Sequence, residues 1–220
     1  MFSHSATHAD AMTRDAAIDL LVGATEAMHA RGQPLMRRVL PADVPVEQWA
    51  HYPADDVVNG PAGSRYFYHC HPPEEREWGE HGHFHLFLAR SAMPHGHHPM
   101  MPAPPTDEPR ADIVHIAALS VDLQGLPIRW FTVNRWVTDE TLFHARTIAA
   151  ALGRFDLRGP VGDPLVNDWL TAMVALSRPM LIDLLKRRDT VLMDRDPGGE
   201  SRSVEVPSDD AIDLVNLLDD

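Results

Sequence analysis

The chain has a single cysteine, Cys70, among its 220 residues, so no internal disulfide can staple it. It also lacks any run approaching the ~20 apolar residues that span a bilayer. The opening MFSHSATHAD has neither the basic start nor the apolar centre of a signal peptide. A cytoplasmic location with no membrane partner is therefore expected. Basic residues are few: 19 Lys and Arg stand against 32 Asp and Glu, a net charge of −13 with neutral histidines. That imbalance disfavours binding to nucleic-acid phosphates over a broad face, because like charges repel. Phosphate-cradling glycine loops, nucleophile elbows and dinucleotide fingerprints are absent as well. Histidine, by contrast, is abundant, with fourteen residues.

The length suits one buried core and is short for two domains. A first helix is predicted from about Asp10 to Ala30, with Ile18, Leu21, Val22, Thr25 and Met28 at helical spacing. Residues 37–61, rich in proline and aspartate, read as an irregular connector. Strands are expected from Ser64 to His71 and from Gly82 to Arg90, paired antiparallel. Residues 91–110 form a broken, proline-, methionine- and histidine-rich mobile loop. A hairpin follows, from Asp112 to Val121 and Leu126 to Arg135, turning at Asp122-Leu123-Gln124-Gly125. The last third is helical: Thr138 to Leu152, a helix begun by Asp163-Pro164, and a final helix after Pro179. The predicted class is α+β, a central antiparallel sheet of about four strands with an N-terminal helix and a helical C-terminal third. Residues 1–197 are assigned to a single domain, and residues 198–220 to an acidic flexible tail.

Eight histidines fall between positions 69 and 98: His69, His71, His81, His83, His85, His95, His97 and His98. Strand alternation puts His69 and His71 on one face of their strand, and His81, His83 and His85 on one face of theirs. Cross-strand Cβ atoms lie about 4.5–5.5 Å apart, close enough for imidazoles to converge on an ion at about 2.0–2.1 Å per bond. His69, His71, His83 and His85 are the candidate metal ligands. Glu75, Glu80, His81 and His115 are possible further ligands or hydrogen-bond partners of the ligands, as are Asp55 and Asp56. Tyr66, Tyr68, Arg129, Asn134 and Arg135 are candidates for contacting an organic substrate. Cys70 is expected to turn to the opposite face as a buried thiol. The Met93–Met101 loop mixes thioether and imidazole, a pairing attractive to copper, but gap-filling methionine in a solvated loop is the preferred reading. His115 and His144 are read as core residues, although His115 reaches the cluster if its strand is adjacent.

Gly63, His69, His71, Glu75 and Gly82 are spaced in a way that resembles the first motif of cupins. That resemblance implies two histidines and a glutamate on a catalytic metal inside a β-barrel with added helices. Here Pro72 and Pro73 interrupt the motif and no clean second motif follows. A longer resemblance is carried by Glu80-His81-Gly82-His83-Phe84-His85-Leu86-Phe87, Gly125-Leu126-Pro127 and Asn134-Arg135-Trp136-Val137-Thr138. These segments are similar to an uncharacterised bacterial family and imply no activity. The residues themselves favour a mononuclear non-haem metalloenzyme acting on a small organic molecule, an oxygenase or hydrolase using iron, zinc or manganese ahead of copper. The alternatives are a copper or zinc carrier and a metal-free accessory protein.

Overall fold

The computed structural model describes residues 11–42, 45–76, 79–102 and 109–219. Among them, six strands form one open antiparallel sheet in the order β1 to β6. The strands are β1 (Tyr52–Asn59), β2 (Ser64–His69), β3 (Gly82–Ala89), β4 (Ile113–Val121), β5 (Pro127–Thr132) and β6 (Ser208–Ala211). The expected four strands, β2 to β5, are thus flanked by two more. Because the sheet is open, the cupin-like barrel is excluded for this chain. The helices are α1 (Arg14–Ala30), α2 (Leu35–Val39), α3 (Arg135–Thr138), α4 (Ala145–Leu152), α5 (Pro164–Leu176), α6 (Arg178–Arg195) and α7 (Leu214–Asp219).

Local chemistry accounts for most boundaries. Thr13 caps α1 through Ala16, and Asp163 caps α5 by accepting from Leu165 and Val166, with Pro164 in the first turn. Pro179 sits in the first turn of α6, where its missing N–H costs no hydrogen bond. Thr138 does not start the helix expected of it. It ends the short α3, Asp139 takes a left-handed conformation behind it, and α4 begins afresh after His144.

Strand alternation divides the sheet into two unlike faces. One carries Tyr66, Tyr68, Phe84, Leu86, Leu88, Leu119 and Trp130, packed against α1, α5 and α6 through Leu21, Met28, Trp169, Leu170, Leu181 and Leu184. Val22, expected on the inner stripe of α1, is instead exposed, and Ala17 and Ala24 are buried. The other face carries the histidines. β3 is buried along both faces because it is central.

The two edge strands were the hardest to foresee. β1 contains Pro53, Asp55 and Asp56, and its register slips between Tyr52 and Val57. Such residues weaken a central strand but suit an edge. β6 reads Ser-Asp-Asp-Ala and pairs with β5 from Arg129↔Ala211 to Thr132↔Ser208. The Ser208 side chain donates to the Leu184 carbonyl at 2.8 Å, and Ile212, Leu217 and Leu218 pack on the core. The expected peripheral tail after Pro197 is therefore corrected: backbone pairing needs no apolar side chains, so its acidity was misleading. Within the expected mobile loop, Met93 and Met101 are buried and Pro99 bridges to Phe143; residues 103–108 lie outside the described residues. No helix among the described residues is long and apolar enough to cross a membrane.

Truncation after Pro207 should remove about 3 kcal/mol or more of stability, from ladder hydrogen bonds at about 0.5–1.5 kcal/mol each plus lost apolar burial. The melting temperature should then fall by roughly 6–12 °C, measured calorimetrically. An unchanged melting temperature would show that β6 adds nothing.

Candidate functional site

β2 and β3 meet with His69 directly opposite His83 and Phe67 opposite His85. Across β4 and β5 these rows continue as His83↔Ser120↔Arg129 and His85↔Ala118↔Phe131. A flat array of polar and aromatic side chains results on one face. Gly82 is required at the start of β3, because a Cβ there would overlap the His69 carbonyl and the Tyr68 hydroxyl.

One ligand nitrogen from each of His69, His83 and His85 lies within 4.8 Å of the other two. His69 Nε2 and His83 Nε2 are 2.7 Å apart, a hydrogen-bond distance. Tetrahedral ligands at about 2.0–2.1 Å from an ion sit roughly 3.3 Å from one another, so the two rings must separate by about half an ångström to admit one. His83 Nδ1–H donates to Glu80 Oε1 at 2.7 Å, and the Ser120 hydroxyl donates to Glu80 Oε2. Glu80 thereby fixes the tautomer of His83 and turns its Nε2 lone pair toward the triad. Burial opposes ionisation of Glu80, but the hydrogen bond and charge of His83, with help from Ser120 and Arg129, hold the carboxyl below its ordinary value.

His115 joins this face through a β-bulge. Leu86 pairs with Ala117, but Phe87 pairs with His115, so Ile116 is skipped and the alternation of β4 inverts. His85 Nδ1 and His115 Nε2 then lie 3.0 Å apart. The sequence allowed for His115 to approach, yet nothing in its apolar strand pattern announces a bulge. His51, not proposed as a ligand, also reaches the face: its ring stacks on Phe67 at 3.7 Å and its Nδ1 sits 3.2 Å from Asp56 Oδ1. It lies just before β1, in a segment whose spacing gives no signal.

The remaining predicted residues separate clearly. His71 stands beside the triad, its ring 5.1 Å from those of His69 and His83, and tilts against Trp49 at 4.1 Å. It is not among the three converging nitrogens. Glu75 is half exposed, 3.8 Å from His71. His81 precedes β3 and places Nδ1 2.6 Å from the Tyr68 hydroxyl, on the helix-packed side. Tyr66 and Tyr68 belong to that core and cannot contact a substrate beside the histidines, a correction that follows from their parity with His69. Asn134 is buried as well, bonded to Asp196 and the Val204 carbonyl, and caps α3. Cys70 is buried.

The histidines floor a cleft of about 1180 Å³. Trp49, His51 and His71 line one part of it. Arg110, Trp136, the end of α6 at Val191 and Arg195, and residues 202–207 line another.

This architecture defines a class: an α+β protein with an open antiparallel sheet, helices on one face and a histidine-floored cleft on the other. Residues 15–216 match the model of DUF6969, a domain of unknown function, and the chain belongs to that family. No curated protein and no solved structure matches it.

Burial, reinforced by neighbouring histidine charge, pushes His69 down to about 2 and His85 well below the ordinary imidazole value. Burial and then the Arg188 charge push His115 down to about 3. These rings stay neutral in the fold but protonate in the unfolded chain below about pH 6.5. The unfolded state therefore binds more protons as pH falls, and stability present above about pH 6.5 is lost progressively below it. In metal-free protein kept with chelator, each such histidine should contribute a slope of about 1.4 kcal/mol per pH unit. Urea unfolding between pH 7 and pH 5 should show this loss, and His115→Gln should make it shallower by about one histidine's share. Stability that is flat across the window would contradict the neutral cluster.

Proposed function

We propose that this protein is a mononuclear metalloenzyme whose ion is held by His69, His83 and His85 and whose substrate is a small organic molecule bound in the cleft. The observation that carries the reading is the convergence of three imidazole nitrogens within 4.8 Å, on a face that opens into the cleft. Glu80 supports it, since a carboxylate on the far nitrogen of a ligand histidine orients the ring and raises its basicity. The donor set favours zinc within the iron, zinc and manganese range. Three imidazoles with the carboxylate held one shell away match a three-histidine catalytic zinc site. They match less well the two-histidine, one-carboxylate set of non-haem iron or the oxygen-rich sets of manganese.

Zinc at such a site supplies Lewis-acid activation of a water or a substrate carbonyl, and the reading is thus a hydrolase rather than an oxygenase. The protein's own part is to fix the ring orientations, through strand pairing and through Glu80 on His83, so that the three nitrogens face one another at the cleft. A carrier role through the Met93–Met101 loop gains no support. Met93 and Met101 are buried in apolar clusters, and His97 Nδ1 is bonded to the Thr147 hydroxyl at 2.9 Å.

Untagged protein dialysed against zinc should bind about one ion per chain, and the double replacement of His83 and His85 by alanine should abolish binding. Glu80→Gln should weaken it by roughly 10–100-fold without removing the stoichiometry. Undiminished zinc in the double variant, by elemental analysis, would refute the site.

A further inference from the structure

The wall of the cleft away from His71 carries an unusual concentration of unpaired positive charge for so acidic a chain. Arg110, half-buried, and Arg195 and Arg202, both exposed, line the cleft, and none of the three forms an ion pair among the described residues. Arg129, by contrast, is paired with Asp209 at 3.5 Å. Arg110 is half-buried and donates one N–H to the Thr138 carbonyl at 3.2 Å, which uses one of its five donors. The Arg202 guanidinium lies 4.2 Å above the Trp136 ring, and the Trp136 indole N–H is itself tied to the Ser201 carbonyl at 2.9 Å. Stacking of this kind orients the guanidinium plane and leaves its edge available for a two-pronged bond to a carboxylate.

Between this wall and the histidines lies Phe131, its ring 5.0 Å from that of His83 and next to Val133 and Val137, with the Arg129 guanidinium, paired to Asp209, 5.0 Å from the ring centroid on one side. Of the acidic groups that share the cleft, Glu80 is bonded to His83 and Ser120, and Asp209 to Arg129. Glu75 lies at the opposite end beside His71, and Glu205 is exposed.

We propose that the cleft selects a small organic acid, its carboxylate held by Arg110, Arg195 and Arg202 and its apolar body lying across Phe131 toward the histidine triad. This deepens the metalloenzyme reading, on which it rests for the role of the histidine end, by naming the substrate class. The carboxylate would anchor at the arginine wall, so the bond to be attacked would lie elsewhere in the molecule, over the triad.

The test uses the full chain, with and without added zinc, and two probes of nearly equal shape: phenylacetate and the neutral phenylacetamide. Calorimetric titration should show phenylacetate binding about tenfold or more tightly than the amide, the worth of one charge-assisted hydrogen bond. Replacing Arg110, Arg195 and Arg202 together by glutamine should erase that preference and leave zinc per chain unchanged. In the unaltered protein, raising ionic strength from about 10 mM to about 150 mM should weaken phenylacetate and spare phenylacetamide, a readout that does not depend on the variant folding. Equal affinities, no phenylacetate binding, a preference that survives the triple replacement, or indifference to salt would each overturn the proposal. A charge preference in a protein that takes up no zinc would uphold this inference and sink the metal reading, while zinc uptake without a charge preference would do the reverse.

Discussion

The hydrogen bond from His83 Nδ1 to Glu80 is the contact on which the histidine face turns. A ring buried on a central strand can be neutral in either tautomer, and only one of them presents Nε2 as an acceptor toward His69. Glu80 makes the choice, and Ser120, from the next strand, holds Glu80 in place. Loss of the carboxylate would leave two imidazoles 2.7 Å apart with no group deciding which carries the shared proton. The strand register supplies the proximity, and the carboxylate supplies the polarity.

That polarity sits on a sheet whose other face is ordinary core. β3 illustrates the division: Phe84, Leu86 and Leu88 bury against helices, while His83, His85 and Phe87 face the other way. Few water molecules can reach His85 or His115, so the fold must keep them uncharged, and it does so at the expense of stability in acid. A purely structural face would bury aromatics there at no such cost. Titratable rings stand here where charge is disfavoured, and the proposed role as metal ligands accounts for them.

The sequence made the middle of this architecture legible. Alternation in Phe84–Leu88 predicted which side chains of β3 are apolar-facing, and the Asp163-Pro164 pair marked the start of α5. The ends were hidden by composition. Pro53, Asp55 and Asp56 hide β1, and Ser208, Asp209 and Asp210 hide β6, because an edge strand is held by backbone bonds that any residue can make. At the site, His69, His83 and His85 followed from spacing alone. His71 did not join them, since β2 ends at His69 and alternation no longer governs its ring. His115 arrived through a bulge, and His51 through the slipped register of β1. Bulges and slips are set by tertiary pairing, which no local pattern records. The arginine wall depends on the chain returning over the sheet after α6, equally invisible to spacing.

The most direct measurement is X-ray absorption at the zinc edge of protein loaded with one equivalent of zinc. The account predicts three imidazole nitrogens at about 2.0–2.1 Å, completed by light oxygen or nitrogen scatterers from solvent or buffer. A shell containing sulfur near 2.3 Å, or one made of oxygen with no imidazole signature, would place the ion elsewhere and contradict it.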